Sequence, residues 1–232
     1  MAYALDDNNN LLIFNTNTSG SIITKTITGL LAGEILLGLD FRPLNGQLYA
    51  LSSGSTLYTI NASSGAATVV SAVPFTTLLS GTSFGFDFNP TVDRIRVVSN
   101  TGQNLRLHPD LGTVAFTDAN LNPGVPAVSA AAYTNNFAGA TTTTLFVIDH
   151  TTDKLYTQIP PNNGTLVEVG SLNINIDAAN GFDIGSTSGT AYAIFTVAGI
   201  QSLYTINLTT GAATKVGDFS KAVRGLTIGL GF

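Results

Sequence analysis

Gly38-Leu39-Asp40-Phe41-Arg42-Pro43 and Gly85-Phe86-Asp87-Phe88-Asn89-Pro90 are two copies of one motif, and each opens a run of short apolar segments. After the first copy come Gln47-Leu48-Tyr49-Ala50-Leu51, Thr56-Leu57-Tyr58-Thr59-Ile60-Asn61 and Gly65-Ala66-Ala67-Thr68-Val69-Val70. After the second come Arg94-Ile95-Arg96-Val97-Val98, Asn104-Leu105-Arg106-Leu107 and Gly112-Thr113-Val114-Ala115-Phe116. Each segment alternates or runs apolar for about five residues between Gly, Asn, Ser and Pro, which is the pattern of a β-strand. Four strands per unit follow.

Two more units read the same way. One has Ala131-Ala132-Tyr133, Leu145-Phe146-Val147-Ile148, Lys154-Leu155-Tyr156-Thr157 and Gly164-Thr165-Leu166-Val167. The other has Gly181-Phe182-Asp183-Ile184, Ala191-Tyr192-Ala193-Ile194, Ser202-Leu203-Tyr204-Thr205-Ile206 and Gly211-Ala212-Ala213-Thr214-Lys215-Val216. Taken as third-strand landmarks, Leu57, Leu105, Leu155 and Leu203 lie 48, 50 and 48 residues apart, a period of propeller size. The first residues supply second, third and fourth strands without a first, and Gly225-Leu226-Thr227-Ile228 supplies the first strand that is missing. The reading is all-β: a five-bladed β-propeller of four-stranded antiparallel blades, closed by the C-terminal strand joining the N-terminal blade. It is predicted as a single domain over 1–232, with blades at about 225–232 plus 1–30, 36–72, 84–118, 128–172 and 180–219.

Composition agrees and narrows the function. Apolar residues make up 44% of the chain and charged residues only 10%, as many short strands and tight turns require. The net charge of −5 is spread along the chain with no basic run, so nucleic acid is not an expected partner. With no cysteine, neither a disulfide framework nor a thiolate metal site can form. No run of about 18 apolar residues marks a transmembrane helix. The opening residues read as a strand rather than a signal peptide. The expectation is a monomer of extracytoplasmic or secreted origin whose signal peptide is not part of this sequence.

The stretch Gly85 to Pro90, followed by Asp93-Arg94-Ile95-Arg96-Val97-Val98-Ser99 and Gly102-Gln103-Asn104-Leu105-Arg106-Leu107-His108-Pro109-Asp110, resembles a bacterial family, the domain of unknown function numbered 4394. The resemblance covers nearly the whole chain. It implies an exported propeller protein and brings no catalytic residue or cofactor with it.

The second motif-bearing unit departs from the others. Where the rest carry Tyr49, Phe146, Tyr192 and Tyr3 it has Arg96, and where they are aligned to carry Tyr58, Tyr156, Tyr204 and Leu12 it has Arg106. Strand alternation sends Arg94 and Arg96 to the face opposite Ile95 and Val97, and predicts Asp87, Arg96 and Arg106 across one face of the sheet. A guanidinium can clamp a carboxylate of the next blade or an anionic ligand. Asp87, Arg94, Arg96 and Arg106 are therefore the candidate ligand-binding residues, with a structural ion network as the preferred reading. Asp40, Asp87 and Asp183 share one repeat position and are expected to line the channel or serve the structure. If they accept bonds from backbone amides they should be held as anions.

His108 and His150 fall in turns without metal-ligand spacing, and are expected to be solvated. Asp6-Asp7-Asn8-Asn9-Asn10 reads as a hairpin turn rather than a calcium loop. No catalytic residue, metal site or cofactor is assigned. The functional expectation is a non-enzymatic binding or scaffold module for an unknown protein or glycan, its recognition carried by loops such as Val73 to Thr82 and Asp118 to Val128. A carbohydrate-binding propeller is the first alternative and would show aromatics exposed at equivalent blade positions. A glycoside hydrolase using the inner-strand aspartates is the second.

Overall fold

A computed structural model describes residues 1–231, with the side chains of Thr18 and Ser19 left out. Phe232, assigned above to the last strand, lies outside the described residues.

Among the described residues, twenty strands form five sheets of four. In chain order, β1 (Ala2–Asp6), β2 (Asn10–Asn15) and β3 (Thr18–Thr26) belong to blade 1. Blade 2 holds β4 (Leu36–Phe41), β5 (Leu48–Ser52), β6 (Leu57–Ile60) and β7 (Ala67–Val69). Blade 3 holds β8 (Phe84–Asn89), β9 (Arg94–Ser99), β10 (Asn104–His108) and β11 (Thr113–Thr117). Blade 4 holds β12 (Val128–Tyr133), β13 (Leu145–Asp149), β14 (Lys154–Gln158) and β15 (Leu166–Ser171). Blade 5 holds β16 (Ala178–Ile184), β17 (Ala191–Val197), β18 (Ile200–Ile206) and β19 (Ala213–Asp218). The last strand, β20 (Val223–Ile228), pairs antiparallel with β1 and becomes the first strand of blade 1. The chain is a five-bladed β-propeller closed by its C-terminal strand.

Neighbouring blades meet through β20, β4, β8, β12 and β16, the inner strands that surround the axis. Apolar side chains are buried between successive blades in five clusters. The cluster between blades 4 and 5 has fifteen buried members and that between blades 3 and 4 only eight, which marks where polar side chains have replaced apolar ones. Inner strands approach so closely that the motif glycines are sterically required. A Cβ on Gly85 would come within 2.7 Å of Ala131, and one on Gly181 within 2.6 Å of Leu226.

The register corrects one alignment. Arg96 lies opposite Asp87 on one side and Arg106 on the other, as alternation predicts. In the other blades, however, the residues opposite Tyr49, Phe146, Tyr192 and Tyr3 are Thr59, Thr157, Thr205 and Ile13. Arg106 therefore stands where the other blades have threonine or isoleucine, not where they have Tyr58, Tyr156, Tyr204 and Leu12. The landmark leucine of blade 3 misled by one residue: Leu105 takes the tyrosine position, and Asn104 takes the place of Leu57. A slip of one residue exchanges the two faces of a strand.

Candidate functional site at the axial mouth

Three levels can be followed along the axis, each supplied by one residue from every inner strand. The innermost consists of Asp40, Asp87, Ala132, Asp183 and Thr227. An inner strand pairs on only one side, so the N–H groups on its axial edge need acceptors once they are buried. The carboxylates supply them. Asp40 Oδ2 accepts from Phe88 N of the next blade, Asp87 Oδ2 from Tyr133 N and Asp183 Oδ2 from Ile228 N. Blades 4 and 1 carry Ala132 and Thr227, which cannot reach forward in this way. There the following blade serves itself: Ile184 N donates to Asp183 Oδ1, and Phe41 N to Asp40 Oδ1. Three carboxylates thereby satisfy five inner-edge amides, and Asp87 Oδ1 is the one oxygen of the six with no hydrogen bond among the described residues.

All three acids are fully buried, and one oxygen of each lies within 4.8 Å of the others. These are the residues that would hold a cation if one entered. The amide bonds expected of these acids are present, and burial works against the anionic form they favour. Burial raises Asp183 to about 7, against the lowering effect of its hydrogen bonds. Burial followed by repulsion from the neighbouring acids pushes Asp40 and Asp87 well above the usual carboxylate range. Thr227 Oγ1 lies 2.8 Å from Asp40 Oδ1 and 3.0 Å from Asp183 Oδ2. A hydroxyl has one hydrogen to donate, so a proton on one of these carboxyl groups completes the second bond.

One step outward lie Gly38, Gly85, Ala130, Gly181 and Gly225, around a cavity of about 10 Å³. Beyond them the axis opens into a mouth of about 80 Å³. The residue preceding each of these small residues lines it: Leu37, Phe84, Ser129, Asn180 and Arg224. Four of the five are the extra residue of a β-bulge. Leu36 and Gly38 pair with successive residues of β5, skipping Leu37. Ser129, Asn180 and Arg224 are skipped in the same way in blades 4, 5 and 1. A bulge breaks the alternation of a strand and re-aims a side chain, so four side chains due to face a neighbouring blade turn to the mouth instead. Blade 3 pairs without interruption from Phe84 onward.

The ring is chemically lopsided, with Leu37 and Phe84 on one side and Ser129, Asn180 and Arg224 on the other. Ser129 Oγ is buried without a hydrogen-bond partner, as is Arg224 Nε. Arg224 is held from behind: its Nη2 donates to the Asp6 carbonyl at 3.0 Å and to Asn9 Oδ1 at 3.2 Å. An apolar groove of about 360 Å³, lined by Ile35, Leu37, Leu79, Thr82 and Phe84 among others, adjoins the mouth and shares Leu37, Thr82 and Phe84 with it.

Of the residues singled out from the sequence, Asp40, Asp87 and Asp183 form the acid level beneath the mouth, and the three arginines lie elsewhere. Arg96 is buried between blades 3 and 4 and has acceptors on all three guanidinium nitrogens: Tyr133 Oη, Asn104 Oδ1, Asp118 Oδ2 and Asn162 Oδ1. Arg106 grips both oxygens of Asp118 at 2.7 and 2.8 Å and lies over the Phe116 ring. Asp87 shares their face but bonds backbone, and Arg94 donates to the Asp93 carbonyl. Asp118, Asn104 and Asn162 were not anticipated. Nor was Arg42, which ties blade 2 to Asp93 and Asp110 of blade 3 at the end of the axis away from the mouth. His108 and His150 were expected to be solvated, yet each has a buried Nδ1 without a partner. Asp6 Oδ1 accepts from Asn8 N and Asn10 N and closes the expected hairpin turn. Of the tyrosines on the third strands, Tyr58 and Tyr204 are buried and Tyr156 is half-buried, so the repeated exposed aromatics of the carbohydrate-binding alternative are not found there.

A family model described as a domain of unknown function, DUF4394, matches residues 10–227. The chain belongs to that family. No curated protein matches it. Among solved structures, a chain of a nidogen/laminin complex is similar over 99% of this chain and 97% of its own, at 12% identity and a TM-score of 0.53. An auxiliary nutrient binding protein from Bacteroides ovatus is similar over 82% of this chain and 55% of its own, at 12% identity and a TM-score of 0.49. At 12% identity the likeness to the chain of the nidogen/laminin complex is one of fold. No helix of the described residues is long and apolar enough to cross a membrane.

Proposed function

We propose that this DUF4394 propeller is an extracytoplasmic binding module that takes a small ligand at its axial mouth. The observation that carries this reading is the ring of Leu37, Phe84, Ser129, Asn180 and Arg224, which differs in every blade at a level bordered by repeated small residues. Unlike the non-repeating Arg96 and Arg106, whose donors are taken up between the blades, Ser129 Oγ and Arg224 Nε in this ring are left without hydrogen-bond partners. A buried hydroxyl with no partner is a standing cost of about 1–3 kcal/mol, and a ligand that bonds Ser129 Oγ removes it. Few convergent polar groups beside an apolar wall are the common form of a small-molecule site. The placement outside the cytoplasm rests on composition: only nine Lys and Arg together, and much Thr, Ser, Asn and Gly.

The test is a thermal-shift screen of small metabolites against the parent protein and Asn180→Trp, which fills the mouth. Compounds that raise the melting temperature of the parent should lose their effect in the filled variant. Hits that stabilise both proteins equally would place binding elsewhere and defeat the proposal.

A further inference from the structure

Resting on the mouth as the binding site, we propose that its ligand is a small amphipathic carboxylate, with an anionic head between Ser129, Asn180 and Arg224 and an apolar tail along Ile35, Leu37, Leu79 and Phe84. Three features fix the chemistry. First, the polar side of the ring offers donors. Asn180 Oδ1 is already engaged, accepting from Thr196 Oγ1 at 2.8 Å, so its amide nitrogen is the end left to bond a ligand. Ser129 contributes a free hydroxyl, and Arg224 an Nε with no acceptor, Asp7 Oδ1 standing 3.8 Å away. The Asn180 amide nitrogen and Arg224 can only donate and the Ser129 hydroxyl can turn to do so, a set that suits a carboxylate better than an ammonium.

Second, neither the mouth nor the groove has an acidic residue in its lining, although the chain carries a net charge of −5. Arg224 is the one charged group of the mouth. Its guanidinium is braced by Asp6 and Asn9 from behind, so little side-chain freedom is lost on binding. Third, the groove continues from the Leu37 and Phe84 side of the ring, opposite the donors. A molecule with its head at Ser129 therefore extends its other end over leucine, isoleucine and phenylalanine. Neither a sugar nor a bare inorganic anion uses that surface.

The experiment is an NMR titration of the labelled, unmodified protein with butyrate, hexanoate, 1-hexanol and hexylamine, following the backbone amides of Leu37, Phe84, Ser129, Asn180 and Arg224. Hexanoate should perturb those amides and bind roughly ten-fold tighter than butyrate, since each methylene buried is worth about a factor of three to four. It should bind at least about ten-fold tighter than hexanol, the amount by which hydrogen bonds to a charged group exceed those to a neutral one. Arg224→Gln and, independently, Asn180→Leu should each erase the preference for hexanoate over hexanol while leaving hexanol binding in place. If hexanol or hexylamine perturbs the mouth as strongly as hexanoate, the carboxylate assignment is overturned and the mouth stands. If all four probes act elsewhere or none acts, both fall.

Discussion

Arg96, Asn104 and Arg106 in blade 3, and Ser129, Asn180 and Arg224 at the mouth, all stand where other blades carry something different, yet one group closes on itself and the other leaves donors open. Arg96 finds acceptors on every nitrogen, and Arg106 takes both oxygens of Asp118. At the mouth, Ser129 Oγ and Arg224 Nε find none. Departure from a repeat is therefore not enough, taken alone, to mark a site. What separates a structural departure from a functional one is the hydrogen-bonding capacity left over once the blade has packed.

The largest effect should come from breaking the closed group. Arg96 is 2% exposed and bonds side chains of two blades, Asn104 and Asp118 of blade 3 and Tyr133 and Asn162 of blade 4. Arg96→Ala would leave Asp118 facing Arg106 alone and Asn104 Oδ1 with only its bond from Gln158, and would open a cavity at a blade interface poor in apolar packing, costing about 3–5 kcal/mol. Arg96→Lys should recover little of this, because one ammonium cannot span the acceptors of a planar fork. Chemical denaturation of both variants measures it. A midpoint within experimental error of the parent for Arg96→Ala would show that the clamp contributes nothing and would erase the contrast drawn here.

The acid level beneath the mouth is an intermediate case, with five amides satisfied and one carboxylate oxygen unused. Its proton affinities are raised by burial and mutual repulsion. Groups whose folded-state affinity exceeds the unfolded value give their full stability below the unfolded pKa, and lose it as pH rises through the folded one. For Asp183 that window runs from about 3.8 to about 7. Asp87→Asn keeps a carbonyl for Tyr133 N, removes one negative charge and turns an N–H₂ toward the other acids. It should be more stable than the parent at pH 8 by on the order of 1–2 kcal/mol, with the difference shrinking toward pH 4. Melting curves across that range decide it, and a variant uniformly less stable than the parent would show that the three acids do not repel one another in the folded state.

Much of the fold was legible because the Gly-x-Asp motif and its following strands recur, and because a first strand missing at one end was present at the other. The acid level could be located by the same repetition. Its chemistry could not, since alternation says which face Asp40 occupies but not that Phe88 N lies within 2.8 Å of it. The mouth was invisible for a different reason. A pattern of period two assigns Leu37, Ser129, Asn180 and Arg224 to blade faces, and only the bulges, which apolar patterning does not encode, bring them to the axis. One signal was present. The residue just before the repeated small residue is the position that never repeats.

The smallest effect is expected at that position, and it sharpens the contrast most. Ser129→Ala removes a hydroxyl that bonds nothing, so no partner is stranded and no cavity larger than one oxygen is made. Loss of an unsatisfied buried polar group is neutral or stabilising, and the change in stability should lie between zero and a gain of about 1 kcal/mol. The same oxygen type behaves differently where the blade has used it. Ser202 Oγ donates to Asp218 at 2.9 Å, and Ser202→Ala should therefore cost about 0.5–1.5 kcal/mol. Measuring the two serines side by side controls for strand propensity, since both are buried in β-strands of adjacent blades. If Ser129→Ala is the more damaging of the pair, its hydroxyl serves the fold, and the mouth loses the feature that distinguishes it from the clamp. If it is harmless to stability yet weakens ligand binding, the hydroxyl is held in reserve for a ligand, which no structural role would require.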